Sequence, residues 1–232
     1  MKIGGLQKLT LLDYPEKVAC TVFTVGCNFR CPFCHNGGLV VGDEHENISE
    51  WDVLTFLNKR QNVLEGMCLT GGEPLIQKDV AEFLQKVKAL GYAVKLDTNG
   101  SFPDVLRALI DKKLVDYVAM DVKNSIAAYP QTAGANVDVE AVCKSVELLK
   151  SGIIDYEFRT TVTGNYHTAE SIREMGKWLV GAKRLYLQKF VASEHLIDAN
   201  TRGCDDETLV RYRDILLQYV SEVHVRGVDV SN

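Results

Sequence analysis

An α/β fold of parallel strands joined by helices is what this sequence predicts, on two observations. Short apolar, β-branched runs alternate with segments of helical periodicity along nearly the whole 232-residue chain. The polar and glycine-bearing motifs fall where a strand gives way to a loop, the end at which parallel α/β folds build their sites. On periodicity alone, a doubly wound sheet and a barrel both fit.

The elements follow in order. Residues 17–26 (KVACTVFTVG) are rich in β-branched side chains and predict a buried strand. A polar loop runs from Cys27 to about Asn47. Ser49, with Asp52 three residues on, predicts a capped helix carrying Trp51, Leu54 and Leu57. Residues 66–70 (GMCLT) predict a strand. Val80, Phe83, Leu84, Val87 and Leu90 mark one face of the helix after it, which Gly91 stops. Residues 92–97 predict a strand, and Ser101 and Pro103 open a helix ending near Lys112 and Lys113. Residues 114–122 predict a strand. Val139, Val142, Cys143, Val146 and Leu149 form a helical stripe closed by Gly152. Residues 153–162 predict a strand, and Thr168 caps a helix with Ile172, Met175 and Leu179. Residues 183–191 predict a strand. Asp205 begins a helix bearing Leu209, Tyr212, Leu216 and Tyr219, and residues 222–228 predict the last strand.

Composition bounds the function. The chain is 46% hydrophobic and 25% charged, which suits one globular domain over residues 1–232. A net charge of -5 argues against a basic nucleic-acid surface. No apolar run is long enough to span a bilayer, and no signal-peptide pattern opens the chain, so the expected compartment is the cytoplasm, away from the membrane. Seven cysteines in a reducing compartment are poor evidence for disulfides.

Three of those cysteines fall within eight residues, as Cys27-x3-Cys31-x2-Cys34. Thiolates are soft ligands suited to iron–sulfur clusters and to zinc. A compact loop can wrap three of them around a cubane, leaving one iron open to exogenous chemistry. Structural zinc with His35 as fourth ligand is the competing reading. Cys20, Cys68 and Cys143 lie on apolar strands or stripes and read as core residues.

The cysteine spacing at the end of a first strand resembles the radical S-adenosylmethionine (SAM) superfamily. The stretch GCNFRCPFCHN, preceded by GLQKLTLLDYPEKVACTVFT, resembles the activating proteins of anaerobic ribonucleoside-triphosphate reductase, relatives of the pyruvate formate-lyase activating enzyme. The resemblance runs from Gly5 to about Val162. It implies an incomplete TIM-like (β/α)6 barrel of parallel strands. It also implies a [4Fe–4S] cluster on Cys27, Cys31 and Cys34, with SAM chelated at the open iron.

Further motifs sit at successive strand ends. Paired glycines in Thr70-Gly71-Gly72-Glu73-Pro74 permit close backbone approach to a ligand, although an ordinary turn has the same composition. The resemblance assigns Gly71, Gly72 and Glu73 to the amino group of SAM. Asp97-Thr98-Asn99-Gly100 and Asp121-Val122-Lys123, alone, could be plain turns. By resemblance Lys123 meets the SAM carboxylate, and Asp97, Thr98 and Asp121 hold a monovalent cation. Asn99 belongs to the same cofactor segment. Arg159, on the fifth strand, suits a carboxylate or a structural ion pair. Phe33 and His35, within the cysteine loop, are expected beside the cofactors. Related activases carry an adenine-contacting histidine near the sixth strand end. This chain has Gln188-Lys189-Phe190-Val191 there, with His195 a few residues on.

The implied reaction is one-electron cleavage of SAM to methionine and a deoxyadenosyl radical. By resemblance, that radical takes a hydrogen atom from a backbone glycine of a partner, an anaerobic ribonucleotide reductase. A low-potential electron donor is the second expected partner. Radical SAM chemistry on another peptide or small molecule would carry the same motifs. A non-catalytic iron–sulfur or zinc module would leave the later motifs unexplained.

Overall fold

The structure is a computed structural model, and it describes residues 1–41, 47–194 and 196–228. His195 therefore lies outside the described residues. Eight strands form one sheet in chain order: β1 (Ile3–Thr10), β2 (Ala19–Thr24), β3 (Gly66–Gly71), β4 (Ala93–Thr98), β5 (Tyr117–Asp121), β6 (Asp155–Val162), β7 (Arg184–Lys189) and β8 (Glu222–Arg226). From β2 onward every neighbour is parallel, while β1 pairs antiparallel with β2. The sheet order runs from β1 to β8, and among the described residues these two strands form its edges.

The helices are α1 (Gly37–Val41), α2 (Glu50–Lys59), α3 (Val80–Ala89), α4 (Pro103–Asp111), α5 (Tyr129–Ala133), α6 (Val139–Lys150), α7 (Ala169–Trp178) and α8 (Asp206–Leu216). Strands β2 to β7, each followed by helix, make the six β/α units of an incomplete barrel, and β8 follows them. Among the described residues no helix is long and apolar enough to cross a membrane.

Local chemistry accounts for most boundaries. Ser49 and Asp52 form a reciprocal capping box at the start of α2, with Asp52 N donating to Ser49 Oγ at 3.1 Å. Asp205 caps α8 by accepting from Thr208 N at 2.8 Å. The buried stripe of α2 is Val53 and Leu57, whereas Trp51 is exposed. The i, i+4 pair faces the sheet, which leaves a residue two positions before Val53 on the far side. Tyr219 lies beyond the end of α8, and α1 lies within the segment expected to be loop.

Strand alternation separates two environments. On one face Met67, Leu69, Val94, Leu96, Val118, Met120, Phe158 and Leu185 are buried in the main apolar core with the helices. The opposite face, turned to the lumen, carries Cys68, Lys95, Asp97, Asp121, Glu157, Arg159 and Gln188. A complete TIM barrel fills its lumen with branched apolar side chains; this one is lined with charge. Near the N-terminal strand ends Tyr14 is buried with Ala19 and Tyr117. A Cβ on Gly66 would come within 2.9 Å of the Tyr14 ring, so glycine makes room for it.

Candidate active site

A cavity of about 450 Å³ opens at the C-terminal strand ends. Cys27, Cys31, Cys34, Phe33, His35, Gly71, Gly72, Asp97, Thr98, Asn99, Asp121, Lys123 and Arg159 all line it. The motifs that the sequence separates by more than a hundred residues therefore share one wall. Glu73 alone among the singled-out residues lies behind that wall.

The cysteine loop is held by many contacts of its own. Gly26, at positive φ, donates to Leu39 O at 2.8 Å as the chain leaves β2. Arg30 N donates to Ala133 O at 2.9 Å, and Asp198 N donates to Pro32 O at 3.0 Å. The Arg30 guanidinium donates to Cys27 O and Phe29 O at 2.6 and 2.7 Å. Asn99 Nδ2 donates to Asn28 Oδ1 at 2.9 Å, and Asn36 Nδ2 donates to Gly71 O at 3.1 Å. Phe33 packs on Tyr166, and the His35 ring lies 5.7 Å from that of Phe190.

Burial pushes the Cys27 thiol up to about 12 and the Cys31 thiol up to about 11, and it raises Cys34 as well. Without metal these thiols keep their protons; a coordinated metal removes them outright. The donor set is soft, shielded and threefold, which fits an iron–sulfur cubane. Among the described residues no three His, Cys, Asp or Glu side chains gather about one point as a single ion would require.

Five side chains, four of them lining the cavity, form a ladder of alternating charge. Lys95 donates to Asp97 Oδ1. Arg159 Nη1 donates to Asp97 Oδ2 at 2.9 Å, and Arg159 Nε donates to Asp121 Oδ1 at 3.0 Å. Lys123 Nζ donates to Asp121 Oδ2 at 2.9 Å. Burial would raise the Asp121 carboxyl, but Arg159 and Lys123 outweigh it and hold it at about 2. The same contest, with Arg159 and Lys95 as the cations, lowers Asp97. Both aspartates are thus ionised, and the ladder carries one net positive charge. A monovalent cation at Asp97 and Asp121 would share those carboxylates with Arg159 and Lys123. The Thr98 hydroxyl is turned to Glu73.

Glu73 is fully buried and ties two loops together. Its carboxylate accepts from Leu75 N (3.1 Å), Thr98 Oγ1 (2.8 Å) and Asn99 N (2.7 Å), joining the end of β3 to the end of β4. Burial pushes its carboxyl from 4.5 up to about 7, against those hydrogen bonds. A folded-state value above the unfolded one means the native state binds the extra proton between the two. Stability from this group is therefore full below about pH 4.5 and is lost as pH rises through about 7. The loss is on the order of 3 kcal/mol. The expected result is a melting temperature for the metal-free protein that falls from pH 5 to pH 8 relative to a Glu73→Gln variant. Parallel pH profiles would refute it.

Several site residues escape sequence reasoning. His167 Nδ1 accepts from Thr163 N at 3.1 Å, which leaves Nε2–H to donate to Lys123 O at 2.9 Å and fix that backbone. Gly134, at φ +63, has no room for a Cβ, which would sit 2.1 Å from Arg30 O. Thr161 and Gln188, partners in register on β6 and β7, line the cavity at the ends of those strands. Asp13 reaches the same cavity from the β1–β2 loop, accepting from Thr21 Oγ1 at 2.5 Å. Lys95, a charge on strand β4, meets Asp97 and Cys68 only in the fold.

Comparison with known proteins gives consistent likenesses. The profile of the Radical SAM superfamily matches residues 21–179. A protein of Methanocaldococcus jannaschii, provisionally named a glycyl-radical enzyme activating enzyme, is 33% identical over 197 residues, covering 81% of this chain and 79% of that one. Streptococcus suis SuiB bound to S-adenosylmethionine superimposes with a TM-score of 0.69 at 15% identity, covering 88% of this chain. This chain spans about half (49%) of that SuiB chain. A domain of a pyruvate-formate lyase-activating enzyme from Bacteroides vulgatus superimposes with a TM-score of 0.57 at 14% identity, covering 70% of this chain and 99% of that domain. At these identities the two structures speak to the fold alone.

Proposed function

The chain belongs to the radical SAM superfamily, which uses a [4Fe–4S] cluster and SAM, and from that premise we propose that it is a glycyl-radical-enzyme activase whose partner is an anaerobic ribonucleotide reductase. The observation that carries the reading is the cavity itself, whose lining brings the three thiols of the cysteine loop together with the ladder ending in Lys123. The likeness to the M. jannaschii protein supports the activase class. The partner rests on the stretch from Gly26 to Asn36 and the LLDYPEK segment before it.

When bound, the cluster would supply the one electron that cleaves SAM, and SAM would supply the carbon radical that takes a hydrogen atom from glycine. The protein's part is to bind, orient and shield. Cys27, Cys31 and Cys34 hold three irons. The backbone at Gly71 and Gly72, which carries no side chain, admits the amino group of SAM. Lys123 offers a compact charge, and Arg159 a planar set of donors, to its carboxylate. Phe33 and His35 cover the cysteine loop, and Asn99 braces it through Asn28. Thr161 and Gln188 face the remaining wall, where the nucleoside has its place. Such a site needs no side-chain acid or base, and it works in the reducing cytoplasm with a low-potential electron donor.

Anaerobically reconstituted, reduced enzyme is expected to convert SAM to deoxyadenosine and methionine. With the anaerobic reductase added, electron paramagnetic resonance should show a glycyl radical on the partner. An intact cluster that leaves SAM uncleaved would sink the enzymatic reading. Cleavage with no radical on the reductase would move the target to another peptide or a small molecule.

A further inference from the structure

Lys95 sits deeper in the lumen than the residues assigned above, and it is 2% exposed on β4. Its ammonium donates to Asp97 Oδ1 and lies 3.7 Å from Cys68 Sγ. A buried ammonium costs desolvation that an apolar side chain at the same place would not. Its effect is visible in its neighbour. Arginine and carboxylate prefer a two-pronged fork, yet Arg159 meets Asp97 through Nη1 alone and gives Nε to Asp121. Lys95 occupies the Asp97 oxygen that the second prong would take.

We propose that Lys95 is a positioning residue for cofactor binding: by holding Oδ1 of Asp97 it keeps Arg159 astride both aspartates, so that Arg159 and Lys123 stay presented to the carboxylate of SAM. This rests on the reading of Lys123 and Arg159 as the carboxylate clamp. Without the ammonium, Arg159 closes on both oxygens of Asp97. Asp121 then loses its guanidinium and holds Lys123, already bonded to it, more tightly and away from the ligand. The ladder also loses one positive charge, leaving it neutral.

The test is equilibrium binding of SAM to the reconstituted enzyme, read by the change in the cluster's paramagnetic resonance signal. Lys95→Met should weaken binding by about ten- to thirtyfold, the scale of coupling within one ion-pair network. Iron content and the cleavage rate at saturating SAM should stay near wild type. Lys95→Arg should restore the affinity to within about threefold. In an Asp97→Asn background, Lys95→Met should cost little more, because the oxygen it guards no longer attracts the guanidinium. Wild-type affinity in Lys95→Met, or effects of the two substitutions that simply add, would overturn the proposal. If Lys95→Met does not fold, Lys95→Leu carries the same test, again removing the donor on Asp97 Oδ1 and the charge together. Lys123→Met separates the two levels. Full affinity there would remove the clamp reading itself. Lost affinity there, with normal binding in Lys95→Met, would remove only the role of Lys95.

Discussion

Alanine at Cys27, Cys31 or Cys34 is expected to reduce bound iron from about four atoms per chain to near zero and to abolish SAM cleavage. Serine at Cys143 or Cys204 should change neither. Cys27, Cys31 and Cys34 line the cavity, while Cys143 is on α6 and Cys204 immediately precedes the cap of α8. A cubane held by three thiolates has no reserve ligand, and none of Cys20, Cys68, Cys143 and Cys204 lines the cavity. The fold should survive the change. Backbone hydrogen bonds from Arg30 to Ala133 and from Asp198 to Pro32 hold the loop without metal. Metal-free variants should therefore melt within a few degrees of the metal-free wild type, since a cysteine-to-alanine change here removes little packing. Iron analysis, visible absorption and thermal melting check all three statements. Iron near wild-type content in any of the three alanine variants would remove that residue from the ligand set.

The parts of this site legible in sequence are those whose chemistry is local. Three thiols within eight residues need no fold to be read as a metal loop, and paired glycines after an apolar strand announce a close backbone approach. Ser49 with Asp52, and Thr168, are likewise local devices, and both cap helices in the structure. Legibility fails where a role depends on a distant partner. His167 acts on a carbonyl 44 residues earlier. Gly134 matters because Arg30 approaches it, more than a hundred residues away. Arg159 could be read as a charge on an inner strand, but its two aspartates lie 62 and 38 residues back. The strand β1 escaped for a related reason. Its Gly4 and Gly5 and its run of exposed Gln7, Lys8 and Leu9 break the alternation, and its conformation is dictated by pairing with β2. Helix α5 spans five residues, too few to display a period.

The Gly71–Gly72–Glu73 segment divides between the cavity and the interior. The segment does meet the site, but through the backbone of Gly71 and Gly72. The carboxylate beside them turns inward to Thr98, Asn99 and Leu75. The glutamate thus aligns two cavity-lining loops with each other, while the glycines themselves line the cavity.

That division makes Gly72→Ala a severe test, because it adds a single methyl group to this site. A Cβ at Gly72 would stand 2.0 Å from Gly26 O and 2.6 Å from Gly26 C. Both are backbone atoms of the residue before Cys27, so no rotamer change relieves the clash. Either the β3 end or the start of the cysteine loop must move by more than 1 Å, roughly the gap to ordinary van der Waals contact. Moving it breaks the hydrogen bond from Glu73 N to Gly26 O (2.9 Å) and that from Gly72 N to Thr24 O (2.9 Å). Overpacking of this kind costs about 1–3 kcal/mol, and two buried hydrogen bonds add about 1 kcal/mol each. The expected outcome is a melting temperature lower by roughly 5–15 °C, with iron incorporation cut several-fold because Cys27 is displaced. Gly91→Ala is the control. Nothing lies within 4 Å of a Cβ there, so its cost is confined to the strain of a positive φ at a helix end. It should lower stability modestly and leave iron incorporation intact. Equal iron content in the two variants would show that the approach of Gly72 to Gly26 does not place Cys27.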